Sequence, residues 1–139
     1  MKADTFRWPV RVYYEDTDAG GVVYHGAYVR FFERARTERL RAMGFEQDEL
    51  RTREGIVFAV KSMNLDFIKP ARFNDLLWVD ARLVEAKRAS LVFEQEIRRQ
   101  ADAGELLCKT QVRVACLEAD AFKATAIPDY LLQRIKDEF

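Results

Sequence analysis

The chain has 139 residues with 23 basic and 23 acidic side chains, so no global field draws it to nucleic acid or to an acidic membrane. Hydrophobic residues make up 49% and charged residues 33%, the balance of one soluble globular domain spanning residues 1–139. No apolar run approaches the roughly 20 residues of a membrane span, and the opening MKADTFRWPVRVYYED lacks an apolar signal core, which predicts a cytoplasmic protein.

Residues 6–14 alternate Val10, Val12 and Tyr14, the pattern of a short strand behind Trp8-Pro9. Residues 15–21 are rich in turn formers. Residues 22–43 change to helical spacing, with Tyr24, Tyr28, Phe31, Phe32, Ala35 and Met43 on one side. Glu33 with Arg36, and Arg34 with Glu38, stand at pairing distances that predict an exposed, ion-paired opposite side. Gly44 suits the residue that closes a helix. Residues 45–54 are polar, with room for one short helical turn before Gly55.

Strand patterns follow at 56–68, 76–85, 90–98 and 106–116. The first sets Met63, Leu65 and Phe67 on one face. The second alternates Leu77, Val79, Ala81 and Leu83 against Trp78, Asp80 and Arg82. The third sets Leu91, Phe93 and Ile97 against Glu94, Glu96 and Arg98. In the last, Leu106, Cys108, Thr110, Val112, Val114 and Cys116 oppose Glu105, Lys109, Gln111 and Arg113. Connections at 86–89 and 101–104 are short enough for hairpins, and Asp102-Ala103-Gly104 offers turn chemistry. A small helix is expected near Pro128, with Leu131, Leu132 and Ile135 apolar. Alternation with one polar face predicts an antiparallel sheet covered on one side, and one long apolar helix to cover it. That is an α+β domain whose sheet wraps the helix.

The chemistry concentrates in residues 13–28, YYEDTDAGGVVYHGAY, where two aspartates, two adjacent glycines and the chain's one histidine precede the helix. A helix N-terminus carries unsatisfied N–H groups and partial positive charge, so it can hold a developing oxyanion. In extended chain Asp16 and Asp18 would project to the same side, yet each could equally serve the turn. Gly20-Gly21 permits a close approach by a ligand. A neutral His25 ring could orient a water beside an ionised aspartate. Tyr28, one helical turn later, suits core packing as well as substrate contact.

Metal and cofactor chemistry find no support. Asp16-Thr17-Asp18-Ala19-Gly20-Gly21 opens like a calcium loop, but its twelfth position is Ala27 rather than glutamate. One histidine and two distant cysteines make no zinc set. Cys108 and Cys116 lie about 26 Å apart at strand rise, too far for a disulfide. No phosphate loop, nucleophile elbow or dinucleotide fingerprint occurs.

The segment RVYYEDTDAGGVVYHGAYVRFFERARTERLR resembles the signature of the hotdog-fold hydroxybenzoyl-CoA thioesterase family, and within it the YbgC-type acyl-CoA thioesterases associated with the Tol–Pal system. The likeness runs from FRWPVRVYYEDTD through IKPARFND to KATAIP. It implies the hotdog fold, a curved antiparallel sheet wrapped around a long central helix. It implies homo-oligomers, dimers joined edge to edge and paired into tetramers, with active sites between subunits. Asp18 occupies the position of the family's catalytic carboxylate, and the oxyanion donor falls among the amides near Tyr24 and His25. The His25 ring would position the water or the carbonyl oxygen, while Gly20 and Gly21 shape the thioester's approach. Lys87, Arg88 and Ser90 stand where related enzymes hold the nucleotide of CoA. Lys69 and Arg72 are second candidates for that contact, and Lys61 a third.

Several alternatives stay open at this level. Asp18 could attack the carbonyl or act as general base. The acyl donor could be CoA or an acyl carrier protein. A non-catalytic acyl-CoA or acyl-carrier-protein binder, and a dehydratase of hydroxyacyl thioesters, share the fold.

Overall fold

A computed structural model describes residues 6–101 and 104–138. Asp102 and Ala103 of the expected turn lie outside the described residues. The elements are β1 (Arg7–Arg11), α1 (His25–Ala42), α2 (Gln47–Glu49), β2 (Ile56–Phe67), β3 (Leu76–Asp80), β4 (Arg82–Lys87), β5 (Ser90–Arg99), β6 (Leu106–Glu118) and α3 (Asp129–Lys136). All sheet pairings between these strands are antiparallel, in the order β1-β3-β5-β6-β2, with β4 also on β5. The strands β1 and β2 are therefore its outer edges, and β4, paired to β5 alone, leaves a further short edge beside β3.

The sheet closes over α1. Tyr28, Phe31, Phe32 and Ala35 from the helix share one core with Leu77, Val79, Phe93 and Val112 from the strands. Phe31 and Phe32 are fully buried, each stabilising by about 2–3 kcal/mol relative to exposure. Gly44 ends the helix as expected, the Phe45 amide reaching back to Leu40 O at 3.0 Å. Residues 47–49 form the short helical turn and run on into a π-helical turn at Leu50–Glu54. Pro128 caps α3 from one position before its first residue.

Three strand expectations are modified. The alternation of residues 76–85 holds, with Leu77, Val79 and Ala81 fully buried, but the ladder breaks at Ala81 into β3 and β4. Side-chain bonds fill the break: Asp80 Oδ1 accepts the Glu96 amide at 2.6 Å, and Gln95 Nε2 donates to Asp80 O at 3.0 Å. Burial pushes the Asp80 carboxyl up to about 6. In β2 the pairing with β6 slips between Val60 and Ser62, leaving Lys61 as a bulge. The inward face therefore changes parity, from Ile56 and Phe58 before the bulge to Met63 and Leu65 after it. In β6, Leu107 is also fully buried, at the register slip opposite Ile97/Arg98.

The polar side of α1 also departs from expectation. Arg36 is buried rather than exposed, its Nη1 donating to Gln95 Oε1 at 3.0 Å. Gln95 occupies an inward position of β5 and also donates to Phe32 O at 3.0 Å. Burial lowers the Arg36 guanidinium from its ordinary value, and Glu33 opposes that shift. Glu38 pairs with Arg41 instead of Arg34, which lies over the Phe31 ring.

Candidate active site

The helix expected from residue 22 begins at His25, because Val22 and Val23 are extended and bridged to other segments. Val23 pairs with Thr17 and Val22 with Arg72. Asp18 N donates to Val22 O at 3.0 Å, and Tyr24 N donates to Asp16 O at 2.8 Å. These bonds fold residues 16–24 into a narrow hairpin whose outgoing arm runs straight into α1. Gly21 sits at its tip with φ 81°, a conformation costly for any residue with a β-carbon.

The two aspartates separate. Asp16 lies in a 3-10 turn, Tyr14–Asp16, so the extended geometry that would align it with Asp18 is absent. Its carboxylate is buried, accepting Tyr13 N at 2.9 Å and Arg30 Nη2 at 3.1 Å. Asp16 braces the loop. Asp18 is exposed, and one of its oxygens, Oδ1, accepts the Gly20 amide at 2.8 Å.

The helix start presents open donors. The Tyr24 amide is already committed to Asp16 O, but those of His25 and Gly26 meet no acceptor among the described residues. The exposed Tyr24 ring lies over Gly26, where a β-carbon would come within 2.6 Å of Tyr24 Cε2, and its centroid is 4.3 Å from the His25 ring. The hairpin that carries the exposed Asp18 carboxylate thus leads into a helix start with a pair of free amides and an exposed imidazole. Such a helix start can polarise a carbonyl, and a carboxylate can deliver a nucleophile to it.

Tyr28 lies one turn into the helix. It is buried, and its hydroxyl accepts the Ala71 amide at 3.0 Å. Burial raises the Tyr28 hydroxyl above its ordinary range.

A model of the thioesterase superfamily matches residues 20–105. The acyl-CoA thioesterase YbgC of Haemophilus influenzae is 46% identical over 128 residues, covering 92% of each chain. The acyl-CoA thioester hydrolase YbgC of Escherichia coli is 43% identical over 136 residues, 98% of this chain and 99% of that one. This chain belongs to the thioesterase superfamily. Among solved structures, a probable thioesterase from Bartonella henselae aligns with TM-score 0.82 and 34% identity, over 88% of this chain and 98% of that one. A 1,4-dihydroxy-2-naphthoyl-CoA thioesterase from Synechocystis aligns with TM-score 0.85 over 95% and 96% of the two chains, at 23% identity, a likeness of fold alone. The sheet closed over α1 is the hotdog fold of these thioesterases.

Within this thioesterase the expected cations divide into groups. Lys69 and Arg72 flank the turn that adjoins the Asp18 hairpin; Lys69 Nζ lies 2.8 Å from Glu105, and Arg72 is exposed. Lys61 is exposed at the bulge of β2. Lys87, Arg88 and Ser90 form the β4–β5 hairpin, opposite Ala115 of β6. That hairpin lies at the other end of β5 from Arg99, roughly 30 Å away at strand rise. Arg99 Nη2 reaches Pro70 O at 2.9 Å, so the Arg99 end of β5 is the end near the Asp18 hairpin. Arg88 and Asp18 therefore do not meet within one subunit.

Sequence reasoning missed the parts that hold the hairpin and the helix start in place: Arg30, Ala71, Asp75 and Arg99. Their bonds run mostly between distant residues, Arg30 to Asp16, Ala71 to Tyr28 and Arg99 to Pro70 and Asp75, while Asp75 also closes a local turn on the Arg72 amide. It also missed exposed aromatics beside the hairpin. Tyr14 stacks on Phe73 with centroids 3.9 Å apart, and both are exposed. Among the described residues no cluster of metal-ligating side chains occurs, and no helix is long and apolar enough to cross a membrane.

Proposed function

We propose that the chain is an acyl-CoA thioesterase that hydrolyses acyl-CoA to free acid and CoA. The observation that carries this reading is the pair of free amides on His25 and Gly26 at the start of the helix that the Asp18 hairpin leads into. The thioester carbonyl sits against those amides, which take up the negative charge that develops on its oxygen. Asp18 either withdraws a proton from an attacking water or attacks the carbonyl carbon itself through a mixed anhydride. In both routes the C–S bond breaks, CoA leaves as the thiolate and takes up a proton, and water supplies the oxygen of the acid. The His25 ring positions the water. Asp18→Asn, nearly isosteric, is expected to abolish thiol release from acyl-CoA while leaving the unfolding midpoint unchanged. Turnover close to wild type would sink the reading.

The working unit is a homo-oligomer, a dimer paired into a tetramer. The unpaired edge of β2, with Val60 and Phe67 exposed along it, is where two copies join. A two-fold axis across that edge runs the strands antiparallel, so the partner's β4–β5 hairpin swings toward this subunit's Asp18 end. That places the nucleotide-holding Lys87, Arg88 and Ser90 across the interface, with Lys61, Lys69 and Arg72 nearer the same site. Sedimentation analysis of Val60→Lys tests it: the variant should be monomeric and inactive. An acyl carrier protein is a second donor, checked by thiol release from its thioesters. The chain acts in the cytoplasm, in keeping with two free buried cysteines, and beside the Tol–Pal system of the YbgC-type enzymes it resembles.

A further inference from the structure

The backbone of Ala71 grips the start of α1 from both sides. Its carbonyl accepts the Val23 amide at 2.8 Å, just ahead of the helix. Its N–H donates to the Tyr28 hydroxyl at 3.0 Å, one turn into the helix. The His25 and Gly26 amides lie between those two grips. Ala71 is itself fully buried, so both bonds are shielded from solvent. The Tyr28 ring is held edge-on against Phe67, centroids 5.4 Å apart, which fixes where its hydroxyl can be.

The turn carrying Ala71 is held in its own right. Arg99 Nη2 donates to Pro70 O at 2.9 Å, its Nε donates to Asp75 Oδ2 at 3.1 Å, and its Nη1 pairs with Glu105. Asp75 Oδ2 also accepts the Arg72 amide at 2.9 Å. One guanidinium thus ties the turn to the ends of β3 and β5 and to the Glu105 segment before β6.

We infer that Tyr28 and Arg99 are positioning residues for the oxyanion amides, acting through the Ala71 backbone and touching neither the acyl group nor the reacting atoms. Resting on the oxyanion role proposed above, the clamp sets where the His25 and Gly26 N–H groups stand relative to Asp18. Small displacements of such donors are felt in the transition state more than in substrate binding.

The test compares Tyr28→Phe, Arg99→Met and the double variant with wild type, by thiol release from a series of straight-chain acyl-CoA esters. Each single variant should lower kcat about ten- to a hundredfold, keep KM within about threefold, and leave the ranking of chain lengths unchanged. The double variant should be little worse than the worse single one, because both act on one stretch of backbone. Millimolar guanidinium should restore part of the kcat of Arg99→Met, and equal sodium chloride should not. An unchanged kcat in folded Tyr28→Phe, or a raised KM with altered chain-length ranking, overturns the inference; the latter makes Tyr28 a substrate contact. If both single variants fail to fold, the bonds serve stability and the inference also falls. An active wild type silenced by Asp18→Asn keeps the thioesterase reading intact whichever way these variants behave, whereas a wild type that releases no thiol removes both.

Discussion

The Gly20 amide donates to Asp18 Oδ1 at 2.8 Å across a turn only a few residues long. This bond aims the carboxylate and leaves no room behind it, because a β-carbon on Gly20 would lie 3.2 Å from that same oxygen. Gly20→Ala should therefore push the carboxylate aside, lowering kcat about tenfold with little change in the unfolding midpoint. Gly21→Ala should do the reverse. Its φ of 81° puts the cost in the backbone, about 1 kcal/mol of stability in urea unfolding. Equal effects on both measurements in both variants would refute this division.

Arg88 answers to a different measurement. On the proposed dimer, which would set it across the edge from Asp18, it should contribute to holding CoA and nothing to the chemical step. Arg88→Ala is expected to raise KM about fivefold, near 1 kcal/mol of binding, with kcat unchanged. Mixing Asp18→Asn subunits with Arg88→Ala subunits should restore one intact site in each mixed dimer. Absence of complementation would return Arg88 to the solvated surface.

Stability should be most sensitive where a charge is buried against a neutral partner. Arg36 has Gln95 as its hydrogen-bond acceptor, and no carboxylate pairs with it among the described residues. Gln95→Leu leaves that guanidinium buried without a partner and should cost about 3 kcal/mol in denaturant unfolding. Arg36→Met, which removes the charge as well, should cost less. The opposite order would show that the pair is held by packing rather than by the hydrogen bond.

Asp80 makes stability depend on pH in a direction opposite to most carboxylates. Burial raises its folded value from 3.8 to about 6. The folded state therefore holds this proton more tightly than the unfolded state, and stability falls as pH rises through that window. The penalty is absent below pH 4 and complete above pH 6. It amounts to about 3 kcal/mol at ~1.4 kcal/mol for each pH unit. Asp80→Asn should be more stable than wild type at pH 7.5 and no more stable at pH 4, by thermal unfolding at both.

The legible parts of the molecule are those written in local pattern. Leu77, Val79, Ala81 and Leu83 face inward as their alternation predicts, and Gly44 closes α1. Asp18, Gly20 and Gly21 share one turn because they are neighbours in sequence, the Gly20 amide donating to Asp18 Oδ1. What escaped the sequence is set by contacts between distant residues. Gln95 shares the alternation of Leu91, Phe93 and Ile97, but only its bonds to Arg36, Phe32 O and Asp80 O explain how a polar side chain is held there. The extended entry at Val22 and Val23 follows from Arg72 and Ala71, which no helical periodicity can register. That the Tyr24 amide is unavailable follows from Asp16 O, a bond between residues eight apart that the chain shows only when folded.

The bulge at Lys61 has a consequence for the fidelity of assembly. A twelve-residue edge strand is an open template on which any extended chain could add itself. One extra residue near its middle bends that template and puts a charge on it, so a regular intruding strand cannot follow the whole length in register. A second copy related by a two-fold axis carries the same kink at the mirrored place and can follow it. Deleting Lys61 would straighten the strand while leaving Met63 opposite Val112 and Leu65 opposite Thr110, exchanging a selective edge for an adhesive one.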